Sequence, residues 1–504
     1  MKSSRLAVVT PNGRHTLLEM MTLSSLAAST LPKPGSSLEG CRVAFLAPAG
    51  VEFVATLQGI WRAGAVAVPL CPTHPVPELA HVIRDCGAGL LVVHPEFESR
   101  LRTLADESAL PLVSTAGWTG PAEPDRSTAP EILPVETPDQ PALILYTSGT
   151  TGKPKGAVLS HAAVAAQVDL LLRAWGWTEN DRILHVLPLH HTHGLINALL
   201  CSLAAGACCE FQSPFDPAAA WERLASGDIT LFMAVPTIYH RLIEHWGQQD
   251  EAQRRRLSDG IRGLRLMVSG SAALPVPTFL EWERIAGHRL LERYGMTEIG
   301  MVLSNPLAGE RRPGTVGQAL PGVQVRLVDE AGRNVPAGTP GELWVRTPGM
   351  FSGYWGRLVD SEQSFTDGWF RTGDLAVVED GYHRILGRLS TDILKTGGYK
   401  VSALEIEAVL REHPDVADCA VVGLPDPEWG ERVAAAVVLR VGPGDRVGLS
   451  AKAPPPTLTL DGLRAWARGQ LAPYKLPARL AVVPTLPRNP MGKVVKAEVR
   501  RLFA

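Results

Sequence analysis

The feature that most limits the fold is a recurring pattern in the first half of the chain. Short apolar runs alternate with segments of helical spacing. "RVAFLAP" (42–48) is followed by "FVATLQGIWRAGAVAVPL" (53–70), a helical stretch ending in a second apolar run. "LAHVIRDCGAGLLVVH" (79–94) repeats helix, glycine break and strand. "DITLFMAVPTIYHRLIEHW" (228–246) reads strand then helix, and "LRLMVSGSAAL" (264–274) runs a strand into a small-residue turn. Strands that are apolar throughout must be covered on both faces, so the pattern predicts parallel sheet packed between helices. After about residue 315 the style changes. "VQVRLVDEAGRNVPAGTPGELWVRTPGMFSGYW" alternates with period two between Gly/Pro turns, which predicts antiparallel strands. A further small unit follows "YHRILGRLSTDILK". It reads helix (402–414), strand ("VADCAVVGLP"), strand ("RVAAAVVLRV"), helix ("DGLRAWARGQL") and a basic C-terminus.

Composition narrows the partners. The 504 residues carry 49 basic and 51 acidic side chains, a net charge of -2. Nucleic acid and anionic membranes both need a concentrated basic surface, so neither is expected. No run approaches the roughly 18 apolar residues of a membrane span. No obligate protein partner is evident. Cysteines stand at 41, 71, 86, 201, 208, 209 and 419, with no C-x-x-C spacing and no secretory h-region at the start. Reduced thiols in an intracellular protein are expected. The location expected is cytoplasmic, or mitochondrial if a presequence is missing from this chain. The Pro-rich segment 115–141 reads as a surface linker and 442–460 as a loop insertion. The "GPGDRVG" within the latter lacks the spacing and context of a dinucleotide fingerprint.

The linker leads into "YTSGTTGKPKGAVLSH" (146–161). An apolar strand, "PALILY", runs directly into a loop with glycines at 149, 152 and 156. Such a loop can turn its N–H groups inward around an anion. Hydroxyls at Thr147, Ser148, Thr150 and Thr151, with Lys153 and Lys155, add donors suited to a polyphosphate. It is not a Walker A loop, because only two residues separate Gly149 from Gly152 and Pro154 follows Lys153.

T-S-G-T-T-G-K-P-K-G resembles the phosphate loop of the adenylate-forming superfamily, which includes acyl-CoA synthetases, peptide-synthetase adenylation domains and luciferase-like enzymes. Further motifs in the same order extend the likeness from about residue 5 to 503. The resemblance implies an α/β fold. Its large N-terminal domain (1–388) would hold parallel-rich α/β sheets plus a distorted β-barrel. A small mobile α+β C-terminal domain (389–504) would follow. It also implies ATP and Mg2+, with coenzyme A as co-substrate. The phosphate-binding residues would be Thr147, Ser148, Gly149, Thr150, Thr151, Gly152 and Lys155. In "ERYGMTEIG" (292–300), Tyr294 would stack on adenine beside Gly295, Ser271 and Ala272. Thr297 would bond the α-phosphate and Glu298 would hold magnesium, as suits a carboxylate and a hard cation. In "FRTGDL" (370–375), Asp374 would accept from the ribose hydroxyls, joined by Arg388 at the end of the large domain. The hinge would follow, at Leu389 or Ser390, where the family usually has Asp or Lys. Gly397, Gly398 and Lys400 in "KTGGYK" would face coenzyme A. Lys493 in "PRNPMGKVVK" (487–496) would be the adenylation lysine. A preorganised charge of that kind is worth roughly 3–4 kcal/mol in the transition state.

The acid must be read separately. Many acyl-CoA synthetases have a small residue before Tyr-Gly; here it is Arg293. A buried unpaired guanidinium would reject a monocarboxylic acid, since breaking a buried ion pair costs about 3–5 kcal/mol. Arg293 therefore suggests a second carboxylate on the substrate, with His191 and Ser269 as further contacts. An internal pair with Glu292 or another buried acid is the competing explanation, although adjacent residues rarely face each other and Glu292 is a poor partner. His191 and His193 are expected on one face of an extended segment in "PLHHTHGL" (188–195). No carboxylate or thiol is spaced along the sequence to complete a metal site with them. The motif set as a whole resembles the malonyl-CoA synthetases. The reaction implied is ATP-dependent ligation of malonate to coenzyme A, with methylmalonate tolerated. A ligase for another short or medium monocarboxylic acid, a carrier-protein loading enzyme and a silent nucleotide-binding regulator are the rivals.

Overall fold

The computed structural model describes residues 4–32, 37–118, 138–147, 154–440, 458–489 and 492–504. The expected alternation is present. The strands Arg42–Leu46, Val66–Pro69 and Leu90–Val93 are joined by the helices Val51–Arg62 and Val76–Asp85. They form the parallel centre of a seven-stranded sheet. Its order is Gly353–Tyr354, Lys155–Ser160, Pro141–Thr147, Val66–Pro69, Arg42–Leu46, Leu90–Val93, Leu112–Ser114. Every residue of Val66–Pro69 and Leu90–Val93 is buried, as strands covered on both faces require.

A nine-stranded sheet follows the same logic. Its parallel core runs Leu291–Met296, Leu266–Ser269, Leu231–Ala234, Arg182–His185, Cys208–Phe211, Leu6–Thr10. Gly300–Ser304 and Gln318–Ala319 extend one edge antiparallel, and Gly13–Thr16 closes the other. Trp221, Trp282 and Tyr239 fill the helix layer against it, with the two indoles stacked at 5.6 Å. The period-two region gives a five-stranded sheet of Gln324–Val328, Gly341–Arg346, Trp369–Glu379 and Phe365–Thr366. Tyr382–Arg388 lies alongside Trp369–Glu379.

The C-terminal region builds a second five-stranded sheet from Tyr399–Ser402, Ile393–Thr396, Gly430–Leu439, Val416–Asp426 and Arg479–Val482. "VADCAVVGLP" is apolar on consecutive residues because both faces are covered. Val421, Val433 and Val437 pack under the helices Ala403–Arg411 and Leu460–Ala467. Ala420, Val422 and Ala434 face Leu486, Val499 and Phe503. The chain divides into two compact units. One is Met1–Leu274, Thr278–Val325 and Val345–Phe370; the other is Pro275–Pro277, Arg326–Trp344 and Arg371–Ala504. Residues 389–504 lie wholly in the second unit, which also takes in segments before residue 388. Among the described residues no helix is long and apolar enough to cross a membrane.

Candidate active site

Thr297 and Glu298 lie in the turn between the antiparallel strands Leu291–Met296 and Gly300–Ser304, paired through Met296 and Gly300. Gln167, from the helix His161–Ala174, clamps that turn. Its Oε1 accepts from Met301 N at 2.7 Å and its Nε2 donates to Ile299 O at 3.4 Å. The approach is so close that a Cβ on Gly300 would lie 1.9 Å from Gln167 Cδ, and Gly300 also has φ +62°. Glycine is needed there for conformation and for space. Thr297 is half-buried. Glu298 is buried, and its Oε1 accepts from the Tyr354 hydroxyl at 2.9 Å.

Tyr354 links Glu298 to Lys155, at the end of the glycine-rich segment. Its ring lies 5.4 Å from Lys155 Nζ, which also pairs with Asp360 at 2.8 Å. Ser148, Gly149, Thr150, Thr151 and Gly152 lie outside the described residues. On either side of them, Thr147 and Lys155 end two antiparallel strands in register.

Arg293 stands one residue before Tyr294 on the Leu291–Met296 strand, and it is 3% exposed. Neither its Nε nor its Nη2 has a hydrogen-bond partner. Burial pulls the guanidinium down to about 9, which leaves it charged at neutral pH. Glu292 acts on it electrostatically but makes no hydrogen bond to it. Burial pushes that carboxyl up to about 8, so it is mostly protonated at neutral pH. Its Oε1 accepts from Leu274 N at 2.9 Å, and its Oε2 is unpartnered. Ser269 Oγ and His193 Nε2, also buried in the first unit, lack partners as well. Burial, reinforced by the charge of Arg293, holds His193 well below its ordinary value, so its ring is neutral. His193 Nδ1 meets Ser271 Oγ at 3.2 Å, and Ser271 has the left-handed φ of +71°. Such a conformation in a non-glycine residue often marks a functional turn. Ala272 beside it is exposed. Tyr294 and Gly295 are half-buried, and a Cβ on Gly295 would lie 2.1 Å from Gly300 O.

The histidine segment differs from expectation. His193 is not extended; it opens a π-helix, His193–Leu200, buried along its whole length. Within this turn Gly194 packs so closely that a Cβ there would lie 2.3 Å from Pro188 O. His191 and His193 therefore do not share a face as alternate residues of a strand would. It is His193 that feels the charge of Arg293, whereas the His191 ring lies 4.1 Å from that of His190, tilted by 52°. His190 in turn approaches Cys71. Burial would raise that thiol, but hydrogen bonds from His190 and His74 outweigh it and bring it down to about 5. Sequence spacing gave no hint of a thiol near these histidines. Among the described residues no group of three or more His, Cys, Asp or Glu could hold a metal ion. Also missed were Tyr354, Gln167 and Asn197. Asn197 is buried with Nδ2 unpartnered, and its signal was a lone amide within "GLINALL".

In the second unit, Asp374 and Arg388 are cross-strand neighbours, with Arg388 Nε donating to Asp374 Oδ1 at 2.9 Å. Thr372 fixes the pair. Its carbonyl accepts from Arg388 Nη1 at 3.0 Å, and its hydroxyl oxygen accepts from Asp374 N at 3.0 Å. Gly397 and Gly398 form the two-residue turn of a hairpin, between Thr396 and Tyr399, with φ +56° and +81°. A turn with both φ values positive selects glycine on conformational grounds alone. Lys400 pairs with Glu330 at 2.6 Å. Lys493 is exposed and ends a tight loop in which its N–H donates to Asn489 Oδ1 at 3.0 Å and its carbonyl accepts from Asn489 N at 2.9 Å.

Residues 1–355 match the AMP-binding enzyme family, and residues 405–493 match the AMP-binding enzyme C-terminal domain. A mitochondrial malonate–CoA ligase of Xenopus laevis is 42% identical, over 99% of this chain and 89% of that protein. The crystal structure of ATP-bound MatB from Rhodopseudomonas palustris is 34% identical, with a TM-score of 0.85, covering 99% of this chain and 96% of that one. A malonyl-CoA ligase in a ternary product complex with methylmalonyl-CoA and AMP is 36% identical, with a TM-score of 0.67 and 97% of each chain covered.

Proposed function

The chain belongs to the AMP-binding enzyme family, and from that premise we propose that it is an ATP-dependent acid–CoA ligase acting on malonate. The observation that carries the substrate is Arg293, a buried guanidinium with unpartnered Nε and Nη2 beside a largely protonated Glu292. A second carboxylate supplies the missing partner. A monocarboxylic acid would leave the charge buried and alone, at about 3–5 kcal/mol. Ser269 Oγ and His193 Nε2 are further unpartnered groups able to hydrogen-bond the same acid. The product complex of the related malonyl-CoA ligase supports tolerance of methylmalonate, since one methyl group is worth only about 1–3 kcal/mol.

In the first half-reaction one malonate carboxylate attacks the α-phosphorus of ATP, pyrophosphate leaves, and malonyl-adenylate forms. Thr297 bonds the α-phosphate, and Lys493 offsets the charge that builds between nucleophile and phosphate. In the second, the thiol of coenzyme A attacks the acyl carbon and AMP leaves. Asp374 and Arg388 hold the ribose. Glu298 would hold a magnesium ion, because it is a buried carboxylate whose side-chain partner is the neutral Tyr354 hydroxyl, and a hard cation favours oxygen ligands. Bound there, magnesium would neutralise phosphate charge as the nucleophile arrives. Residues 389–504 act as the mobile domain in this reading, with the hinge at Leu389 or Ser390. Gly397, Gly398 and Lys400 face coenzyme A.

The test is pyrophosphate release with malonate and with butyrate, on the wild type and Arg293→Ala. Malonate is expected to be preferred at least a hundredfold, and the variant to lose that preference. A wild type that prefers butyrate would sink the substrate and leave the adenylation chemistry standing.

A further inference from the structure

Gly270 is buried and follows the Leu266–Ser269 strand, whose Ser269 is in register with Glu292. Many glycines of this chain have positive φ and are required by conformation; Gly270 is not among them. Its φ lies outside the left-handed region, so conformation does not demand glycine there. Space is what forbids a side chain. A Cβ at 270 would lie 2.5 Å from Arg293 Cζ and 2.7 Å from both Nε and Nη1. All three of its nearest neighbours belong to one guanidinium. That group is the far end of a flexible side chain, so a methyl at 270 would displace the guanidinium before it disturbed the sheet.

Two further observations say the displacement has a functional consequence. The guanidinium is not tied down by protein partners at Nε or Nη2, so nothing recorded there would pull it back. Ser269 Oγ, immediately before Gly270, is a second buried unpartnered group, and Ser271 after it fixes His193 Nδ1 at 3.2 Å. The three residues 269–271 thus make one short wall with the guanidinium laid flat against its middle.

We propose that Gly270 is a positioning residue that sets specificity, holding the Arg293 guanidinium against the backbone where it meets the second carboxylate of the acid. The inference rests on the dicarboxylate reading above. Misplacing a group that binds the acid alike in ground and transition state raises KM and leaves kcat little changed. Gly270→Ala should therefore fold normally and lose selectivity.

The experiment measures kcat/KM for malonate and butyrate in the wild type, Gly270→Ala, Arg293→Ala, Arg293→Lys and the two double variants, with a thermal melt of each. The malonate-to-butyrate ratio should fall about thirtyfold or more in Gly270→Ala, chiefly through KM for malonate. Adding Gly270→Ala to Arg293→Ala should change the ratio less than threefold, because the clashing group is gone. The same holds on Arg293→Lys, which lacks the planar head. Three outcomes overturn the inference alone: a malonate-selective wild type whose Gly270→Ala keeps its ratio, equal losses on both acids, or full additivity in the double variants. A wild type selective for butyrate overturns the dicarboxylate reading and this inference with it.

Discussion

Burial holds the Glu292 carboxyl at about 8, against 4.5 for a free glutamate. Between those values the folded protein keeps a proton that the unfolded chain releases. The stabilisation is full below about pH 4.5 and is lost as pH rises through about 8. Glu292→Gln removes the titration, so its unfolding free energy should decline less between pH 5 and 9 than that of the wild type. The difference should be on the order of a few kcal/mol in urea melts at the two pH values. Parallel pH dependences would show that Glu292 is ionised in the fold, and would return it as a partner for Arg293. At this scale the sequence was informative about chemistry and silent about environment. Arg293 stands out in "ERYGMTE" because its neighbours are a known kind of motif. Whether it is paired internally depends on the protonation of the adjacent Glu292, which only burial decides.

Between elements, the Thr297–Glu298 turn is held by two side chains distant in sequence, Gln167 from a helix and Tyr354 from a two-residue strand. Tyr354→Phe leaves the ring and its Lys155 contact but frees Glu298 Oε1. Pyrophosphate release should fall about tenfold with a higher magnesium requirement, while the melting temperature moves little; a magnesium dependence equal to the wild type's would remove Tyr354 from the site. Gln167→Leu strips the partners of a buried N–H and carbonyl, at about 1–3 kcal/mol each, and should lower the melting temperature as well as the rate. Neither clamp was legible, because hydrogen bonds spanning 56 and 134 residues leave no local pattern. The strand–helix alternation was legible, since apolar periodicity is written in consecutive residues. The π-helix at His193–Leu200 was not. An extended segment was expected; the helical turn found instead brings Gly194 against Pro188 O, a close fit that apolar periodicity does not register.

For the whole molecule, the proposed mechanism assigns the two half-reactions to different residues of the second unit. Lys493→Ala should slow malonyl-adenylate formation about 10²–10³-fold. It should also transfer malonyl groups from supplied malonyl-adenylate to coenzyme A at near the wild-type rate, because the Gly397–Gly398 turn is untouched. Single-turnover assays of each half separate the two, and a parallel loss in both would place Lys493 in binding common to them. The close approach at Gly270 has a consequence on a longer timescale. Any lineage of this protein meets positions 270 and 293 as a ratchet. While arginine occupies 293, a side chain at 270 collides with it; once arginine is gone, 270 is free to drift. Once arginine has been lost from 293, a side chain later acquired at 270 would block the way back.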